Sequence, residues 1–154
     1  MRTYRSGLVI AAVAVSLLLA GCGGPSGVKS TSGQQGSSTG GNYKDGTYSA
    51  KSSPDELGGV GEITLTVEKG KITKADYKGI QVTGQLKDAE YGKTIGNINQ
   101  DYYNKAQKAV KGAATYAPRL LETQDAEKID AVSGATISYN QFVEATKKAL
   151  DKAR

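Results

Sequence analysis

One short segment, Asp130 to Thr136, carries side chains whose types and spacing could support chemistry; its sequence is Asp-Ala-Val-Ser-Gly-Ala-Thr. The Thr136 hydroxyl could receive a covalent group, and the small residues Gly134 and Ala135 would let a bulky partner reach it. Asp130 and Ser133 can hydrogen-bond the backbone of the segment and fix its shape. A threonine hydroxyl is a weak nucleophile that needs a base or a metal ion. No such group lies nearby in the sequence, so we expect another enzyme to perform any attachment.

The composition removes most other routes to catalysis. The 154 residues include no histidine and a single cysteine, Cys22. An imidazole base, a zinc or haem site built on histidine or cysteine, and an iron–sulfur cluster are therefore excluded. An intrachain disulfide is impossible because Cys22 has no partner. We predict no catalytic residue and no metal site, so any redox chemistry must come from an attached cofactor.

The elements that must position this segment begin with three strands. Residues 46–51 have strand-like composition, and residues 62–68 alternate polar and apolar side chains with a period of two. Lys69-Gly70 predicts a turn, after which residues 71–77 return as the antiparallel partner. The following residues 79–99 are rich in Gly, Asp, Lys and Asn and predict a long loop. The sequence therefore predicts a small antiparallel meander.

Helical periodicity follows from Asp101 onward. We expect Pro118 to break or kink the first helix, with residues 119–123 as a short continuation. Ser138 and Gln141 predict a capping box at the start of the last helix. One apolar face of the first helix is expected to comprise Tyr103, Ala106, Val110, Ala113, Ala114 and Ala117, and the buried stripe of the last helix Phe142, Ala145, Ala149 and Leu150.

Strands followed by helices predict an α+β domain, with a small antiparallel sheet and helices packed on one of its faces. The segment 130–137 then lies in the loop immediately before the last helix. Free backbone N–H groups and the helix dipole favour a phosphate at such a position.

This motif resembles the flavinylation signature of the FMN-binding domain family, with its Asp, its Ser or Thr, and its final Gly-Ala-Thr. Similar domains occur within the sodium-pumping NADH:quinone reductases and within the Rnf-type oxidoreductases. The resemblance implies that a magnesium-dependent flavin transferase uses FAD and leaves FMN phosphoester-linked to Thr136. It also implies that Asp130, Ser133, Gly134 and Ala135 form the segment that the transferase recognises and that surrounds the phosphate.

Other flavin contacts are suggested by position. Gly58 and Gly59 could let the flavin ring lie close to the backbone at a strand entrance, although a flexible loop explains them equally well. Tyr91 and Gly92 lie in the long loop, which could fold over the cofactor, and Tyr139 follows the motif closely.

The N-terminus predicts an export address. Arg2 and Arg5 precede an apolar stretch, residues 8–20, of about 13 residues, which is too short to span a bilayer as a helix. The stretch ends in Leu-Ala-Gly before Cys22, which resembles a bacterial lipobox. We therefore predict a lipoprotein signal peptide at 1–21 and a lipid on the sulfur of Cys22, which places the protein at the extracytoplasmic face of the cell membrane.

Residues 22–42 contain the lipidated cysteine and a Gly- and Ser-rich stretch that cannot bury a core. We expect a flexible tether, whose r.m.s. reach for about 20 residues is roughly 25 Å. The remaining residues, 43–154, form the expected FMN-binding domain. Removal of the signal lowers the net charge from +5, the charges that remain are mixed in sign, and no basic stripe with aromatic residues indicates nucleic-acid binding.

The combination of a lipobox, a tether and a single domain is most similar to that of the lipoproteins of Gram-positive extracellular electron transfer. The resemblance implies an electron carrier, more than a stand-alone enzyme, that is a substrate of the flavin transferase. Its donors would be a membrane NADH dehydrogenase or the quinone pool, and its acceptors ferric iron or soluble flavins. The alternatives are a non-redox ligand-binding or adhesion lipoprotein, a flavin-bearing module of a reductase, and a signal peptide that releases a signalling peptide.

Overall fold

The computed structural model describes residues 43–93 and 99–154. The predicted signal peptide 1–21, the lipidated Cys22 and the tether 22–42 lie outside the described residues and stay predictions. Among the helices of the two described ranges, none combines the length and apolar character of a membrane span.

Three antiparallel strands form a meander in the order β1-β2-β3, as the alternation and the turn residues predict. They are β1 (Gly46–Lys51), β2 (Val60–Glu68) and β3 (Lys71–Ile80). Lys69 and Gly70 join β2 to β3 with φ values of 53° and 72°. Two successive positive φ angles are what a tight two-residue hairpin requires, so the predicted turn is confirmed.

The sheet has one inner face, which is set by the alternation along β2. Gly61, Ile63, Leu65 and Val67 are buried, and the residues between them are partly exposed. The inner side chains pack against the helices in one core. Because successive side chains of a strand point to opposite faces, this pattern buries one face of the sheet.

The described residues form three helices, of which the last two cover that inner face. The helices are α1 (Gln100–Ala113), α2 (Tyr116–Thr123) and α3 (Thr136–Asp151), with a short 3₁₀ turn at Ala126–Lys128 between the last two. Helix α3 lies against β1 and β2, and α2 covers β3. The predicted stripe of α3 is confirmed, because Phe142, Ala145, Ala149 and Leu150 are all buried. The α+β prediction is therefore correct.

The predicted break at Pro118 is wrong in position. Helix α1 ends at Ala113, and Pro118 is the third residue of α2. A proline is tolerated there because the first N–H groups of a helix have no intrahelical acceptor. The break comes earlier because the backbone N–H and the hydroxyl of Thr115 both donate to the carbonyl of Gly112, at 3.1 and 2.8 Å.

The predicted loop 79–99 is shorter at its start. Strand β3 extends to Ile80, which forms a further bridge with Leu86. Residues 81–93 are the described part of the loop, and α1 begins at Gln100. This loop folds back along the sheet, because the N–H of Lys87 donates to the carbonyl of Gly79 at 2.8 Å.

Candidate functional site

Thr136 is the first residue of α3, and its side chain is exposed. The sequence predicted Thr136 to lie in the loop before the last helix, with a capping box that starts at Ser138. The helix instead begins at Thr136, two residues before Ser138. Ser138 and Gln141 do not cap the helix; the N-cap is Ala135, which offers no side-chain hydrogen bond. The Nε2 of Gln141 instead donates to the carbonyl of Gly59 at 2.7 Å. The first turn of α3 therefore keeps N–H groups that no side chain satisfies.

The loop before Thr136 is held by a tyrosine from another helix. The buried Tyr116 hydroxyl donates to the carbonyl of Ala135 at 3.2 Å and accepts from the N–H of Val132 at 3.1 Å. We expected Asp130 and Ser133 to do this, but both side chains are exposed and make neither bond. A buried tyrosine hydroxyl needs partners, and the loop backbone is within its reach.

Helix α1 approaches this loop closely at Gly112. A β-carbon built on Gly112 would lie 2.7 Å from the β-carbon of Ala135. Any larger residue at either position would therefore separate the helix from the loop. On the exposed side, Gly134 has a φ of 85° and lies under the aliphatic stem of Lys108.

A cavity of about 450 Å³ opens beside Thr136. Its volume is within the range of small-molecule sites, and its lining is mostly apolar. The sheet side and the loop contribute Asp55, Glu56, Leu57, Gly79, Lys87 and Tyr91; the helix side contributes Ala109, Val110, Ala113, Gly134, Ala135, Thr136, Ile137 and Ser138. Val110 and Ala113, which belong to the apolar face predicted for the first helix, thus line the cavity.

One ion pair lies in the cavity wall. The Nζ of Lys87 is 2.8 Å from Oδ2 of Asp55, and the two side chains are only 13% and 11% exposed. The other carboxylate oxygen of Asp55 accepts from the N–H groups of Leu57 and Gly59, at 3.0 and 2.7 Å. Asp55 therefore shapes the turn before β2 and also holds Lys87.

The pKa values of Asp55 and Tyr91, which both line the cavity, are shifted by burial and by their neighbours. Burial alone would raise the pKa of the Asp55 carboxyl, but the hydrogen bond from Lys87, the N–H of Gly59 and the ammonium charge together hold it below its usual 3.8. Burial and the neighbouring Tyr102 raise the pKa of Tyr91 to about 12. At neutral pH the wall therefore presents a charged pair and a neutral phenol.

The structure brings together only some of the residues suggested for flavin contact. Tyr91 lines the cavity, whereas Gly92 packs against α1, where an added β-carbon would lie 2.6 Å from that of Ala106. Gly58 and Gly59 belong to the turn that Asp55 shapes and are not part of the lining. Tyr139 is not part of the lining either and packs edge-on against Tyr116, with ring centroids 5.6 Å apart.

Four positions were missed by the sequence analysis: Asp55, Lys87, Gly112 and Tyr116. The ion-paired residues are 32 positions apart, and Tyr116 precedes Ala135 by 19. No local periodicity links residues at such separations. Only the glycine inside a helical pattern could have been noticed, because glycine in a helix interior is unfavourable without a packing reason.

The site therefore consists of an exposed threonine at a helix start, which lines a mostly apolar cavity with one cation in its wall. The family described as the FMN-binding domain matches residues 57–151, more than half of the chain. The chain belongs to the FMN-binding domain family. The matched range starts after β1, although β1 pairs with β2 from Gly46 to Lys51.

Two solved structures are similar to this chain. A crystal structure of a Clostridium perfringens protein has 30% identity and a TM-score of 0.55, covering 72% of this chain and 88% of that one. A solution NMR structure of a Clostridium thermocellum protein has 30% identity and a TM-score of 0.42, covering 72% of this chain and 92% of that one. Among curated proteins, none matches the sequence closely enough to count as a relative.

The residues around the cavity fit FMN. An apolar cavity of about 450 Å³ suits a planar aromatic ring system with a few polar groups to orient it. The uncapped first turn of α3 offers N–H groups to a phosphate. Thr136 lies at the junction of these two features, since it both begins the helix and lines the cavity. The membership and the fit together support a flavin-binding role.

Proposed function

We propose that this chain is an electron-transfer flavoprotein that carries FMN as a phosphoester on Thr136. The observation that carries the proposal is the position of Thr136, an exposed residue that lines the apolar cavity in a domain of the FMN-binding family. A bound flavin would supply reversible electron transfer, which none of the chain's own side chains can provide.

In the attachment step, a flavin transferase acts on FAD. The bond between phosphorus and the Thr136 oxygen forms as the bond between the FMN phosphorus and the bridging oxygen of FAD breaks. AMP leaves with that oxygen, and the hydroxyl proton passes to a base of the transferase. The chain contributes an accessible hydroxyl, because Gly134 is exposed and has no side chain and the Ala135 methyl is buried.

The chain's own residues then position the cofactor. Tyr116 and Gly112 hold the loop, and apolar side chains of α1 line one side of the cavity. Asp130 and Ser133 are exposed in the segment before Thr136, which suits recognition by the transferase.

We further propose that the protein works at the extracytoplasmic face of the membrane, anchored through Cys22. A membrane NADH dehydrogenase or the quinone pool would supply electrons, and ferric iron or soluble flavins would accept them. One contact fixes where the predicted tether would meet the domain: the N–H of Lys44 donates to the carbonyl of Ala153 at 2.7 Å. The chain therefore enters the domain beside the C-terminal end of α3, and Thr136 lies at the other end, about 24 Å away along a helix of 16 residues.

Intact mass tests the attachment. The protein is expressed with a flavin transferase, and we expect an added mass of one FMN less one water. Thr136→Ala should lose the whole adduct, whereas Thr136→Ser should retain it. Ser138→Ala is the matched control, because Ser138 lies one half-turn further along α3 and also lines the cavity. An adduct that survives Thr136→Ala would refute the proposed site.

A further inference from the structure

The ion pair between Asp55 and Lys87 is unusual in its place, because it lies in the wall of an apolar cavity. Most other ion pairs of the described residues join side chains that are a third or more exposed, as in the pair of Lys147 and Glu127. Here the two side chains are 13% and 11% exposed. Charges shielded from water act on their surroundings far more strongly than exposed ones.

The backbone around Lys87 is shaped to hold its side chain against the cavity wall. A β-carbon on Gly59 would lie 2.7 Å from the Lys87 Nζ, and one on Gly79 would lie 3.1 Å from its Cδ. The stem therefore crosses two glycines, and the Nζ lies 5.6 Å from the centroid of the Tyr91 ring. An ammonium has three N–H donors, and its one hydrogen-bond acceptor in the described residues is Asp55.

We propose that Lys87 sets the reduction potential of the cofactor through its charge, with Asp55 as the residue that holds it and partly offsets that charge. The inference rests on the proposed function. It follows from the fact that Lys87, Asp55 and Thr136 line the same cavity of about 450 Å³. A flavin joined to Thr136 and enclosed by this cavity has Lys87 as the cation of its wall.

The electron balance gives the sign of the effect. Reduction of a flavin by two electrons with uptake of one proton from solvent adds one negative charge to the ring. The electrons come from an electrode or from a reduced quinone. A nearby ammonium favours the more negative form, so Lys87 raises the potential, and the Asp55 carboxylate lowers it.

The experiment measures the midpoint potential of flavin-bearing protein by spectroelectrochemistry at pH 7. Lys87→Met should lower the ratio of reduced to oxidised flavin at least tenfold at fixed potential, a shift of about 30 mV for a two-electron couple. Asp55→Asn should raise the potential, because it removes a negative charge. The turn should survive the substitution, since the amide oxygen of the asparagine can still accept from the N–H groups of Leu57 and Gly59. The double variant should return close to the unaltered protein.

Lys108→Met is the matched control, because its stem lies over Gly134 yet it is not part of the cavity lining. It removes the same charge close to the attachment site but from a solvent-exposed position. We expect the ratio of reduced to oxidised flavin at fixed potential to change less than twofold, and this change should disappear in 1 M salt. The effect of Lys87→Met should persist at that salt concentration.

If the ion pair had a merely structural role, Lys87→Met and Asp55→Asn would shift the midpoint potential in the same direction. This result would overturn the inference. If Lys87→Met does not fold, Asp55→Asn and the double variant decide, and an unchanged potential in Asp55→Asn would likewise refute it. Absence of flavin from the unaltered protein would instead overturn the proposed function, and this inference with it.

Discussion

The ring of Tyr116 stacks on that of Phe142, with centroids 5.3 Å apart and an interplanar angle of 26°. The same tyrosine holds the motif loop through its hydroxyl, which contacts Ala135 and Val132. One fully buried side chain of α2 thus joins the core of α3 to the loop that precedes it. The position of the Thr136 hydroxyl therefore depends on core packing as well as on the motif itself.

Tyr116→Phe should destabilise the domain and slow flavin attachment. The Ala135 carbonyl keeps its helical bond from the N–H of Tyr139, at 2.9 Å, but the N–H of Val132 loses its acceptor. We expect a loss of about 1–2 kcal/mol in the free energy of unfolding, measured by denaturant titration. Intact mass over time would give the rate of attachment.

Tyr139→Phe is the control for this change, because it also removes one tyrosine hydroxyl from the same aromatic cluster but leaves the loop bonds intact. It should change the free energy of unfolding by less than about 0.5 kcal/mol. Equal effects of the two substitutions would show that the loop does not depend on Tyr116.

Gly112→Ala should destabilise the domain, although the same change in an ordinary helix stabilises it by about 1 kcal/mol. The new methyl would lie 2.7 Å from the Ala135 β-carbon and 3.1 Å from a methyl of Val132. Overpacking of this kind costs about 1–3 kcal/mol, which thermal and denaturant unfolding would detect.

The compensating change Ala135→Gly tests the cause. In the double variant the two β-carbons no longer meet, so stability should recover in part. Gly112→Ala should also slow flavin attachment, because the clash displaces the loop before Thr136, and the double variant should restore the rate. A double variant less stable than Gly112→Ala alone would contradict this explanation.

Local sequence features predicted the frame of the domain. Strand β1 has the predicted bounds Gly46–Lys51. Its strand-like composition is a property of neighbouring residues alone, so the sequence was sufficient to predict it. The turn at Lys69 and Gly70 and the buried stripe of α3 likewise depend on neighbours within one element. Even here, local rules failed where two of them competed, as at Pro118, which is compatible with a first helical turn as well as with a break.

The cavity could not be predicted in the same way, because it exists only between elements. An apolar stripe on α1 has the same sequence pattern whether it faces a core or a ligand, so the predicted apolar face does not reveal that Val110 and Ala113 line a cavity. The motif predicts a role for Thr136 from its chemistry, but the cation in the wall of the same cavity is Lys87, in a loop whose residues show no periodicity. Long-range pairing brought these residues together.

The stability of the flavin-free domain should depend on Asp55 in acid. Its pKa in the folded state is below the usual 3.8, so the folded form releases this proton more readily than the unfolded chain. The contribution of the carboxylate is therefore complete above about pH 4 and is lost as the pH falls through the folded-state pKa. The difference in unfolding free energy between the unaltered protein and Asp55→Asn should shrink below that pH.

Denaturant titrations at pH 7, 5, 4 and 3 would measure this difference. Asp130→Asn serves as the control, because it removes an exposed carboxylate that makes none of the loop's hydrogen bonds. Its effect should be small at every pH. A difference for Asp55→Asn that grows as the pH falls would show that the carboxylate is not stabilised by Lys87.

The predicted tether gives the last test, since it separates carrier mobility from cofactor attachment. Deleting residues 25–40 would leave Cys22 and the described domain unchanged but shorten the segment to about five residues. Its r.m.s. reach would then fall from roughly 25 Å to about 12 Å, which is less than the length of α3. Because Lys44 joins the end of α3 opposite Thr136, a shortened tether should limit how far the flavin can turn toward the membrane.

We expect full flavin attachment by intact mass but slower reduction by a quinol in vesicles, while reduction of the detergent-solubilised protein stays unchanged. The control replaces residues 25–40 with an unrelated Gly-Ser sequence of equal length and should behave as the original. Equal rates in vesicles for the short and full-length tethers would show that mobility of the domain does not govern electron delivery.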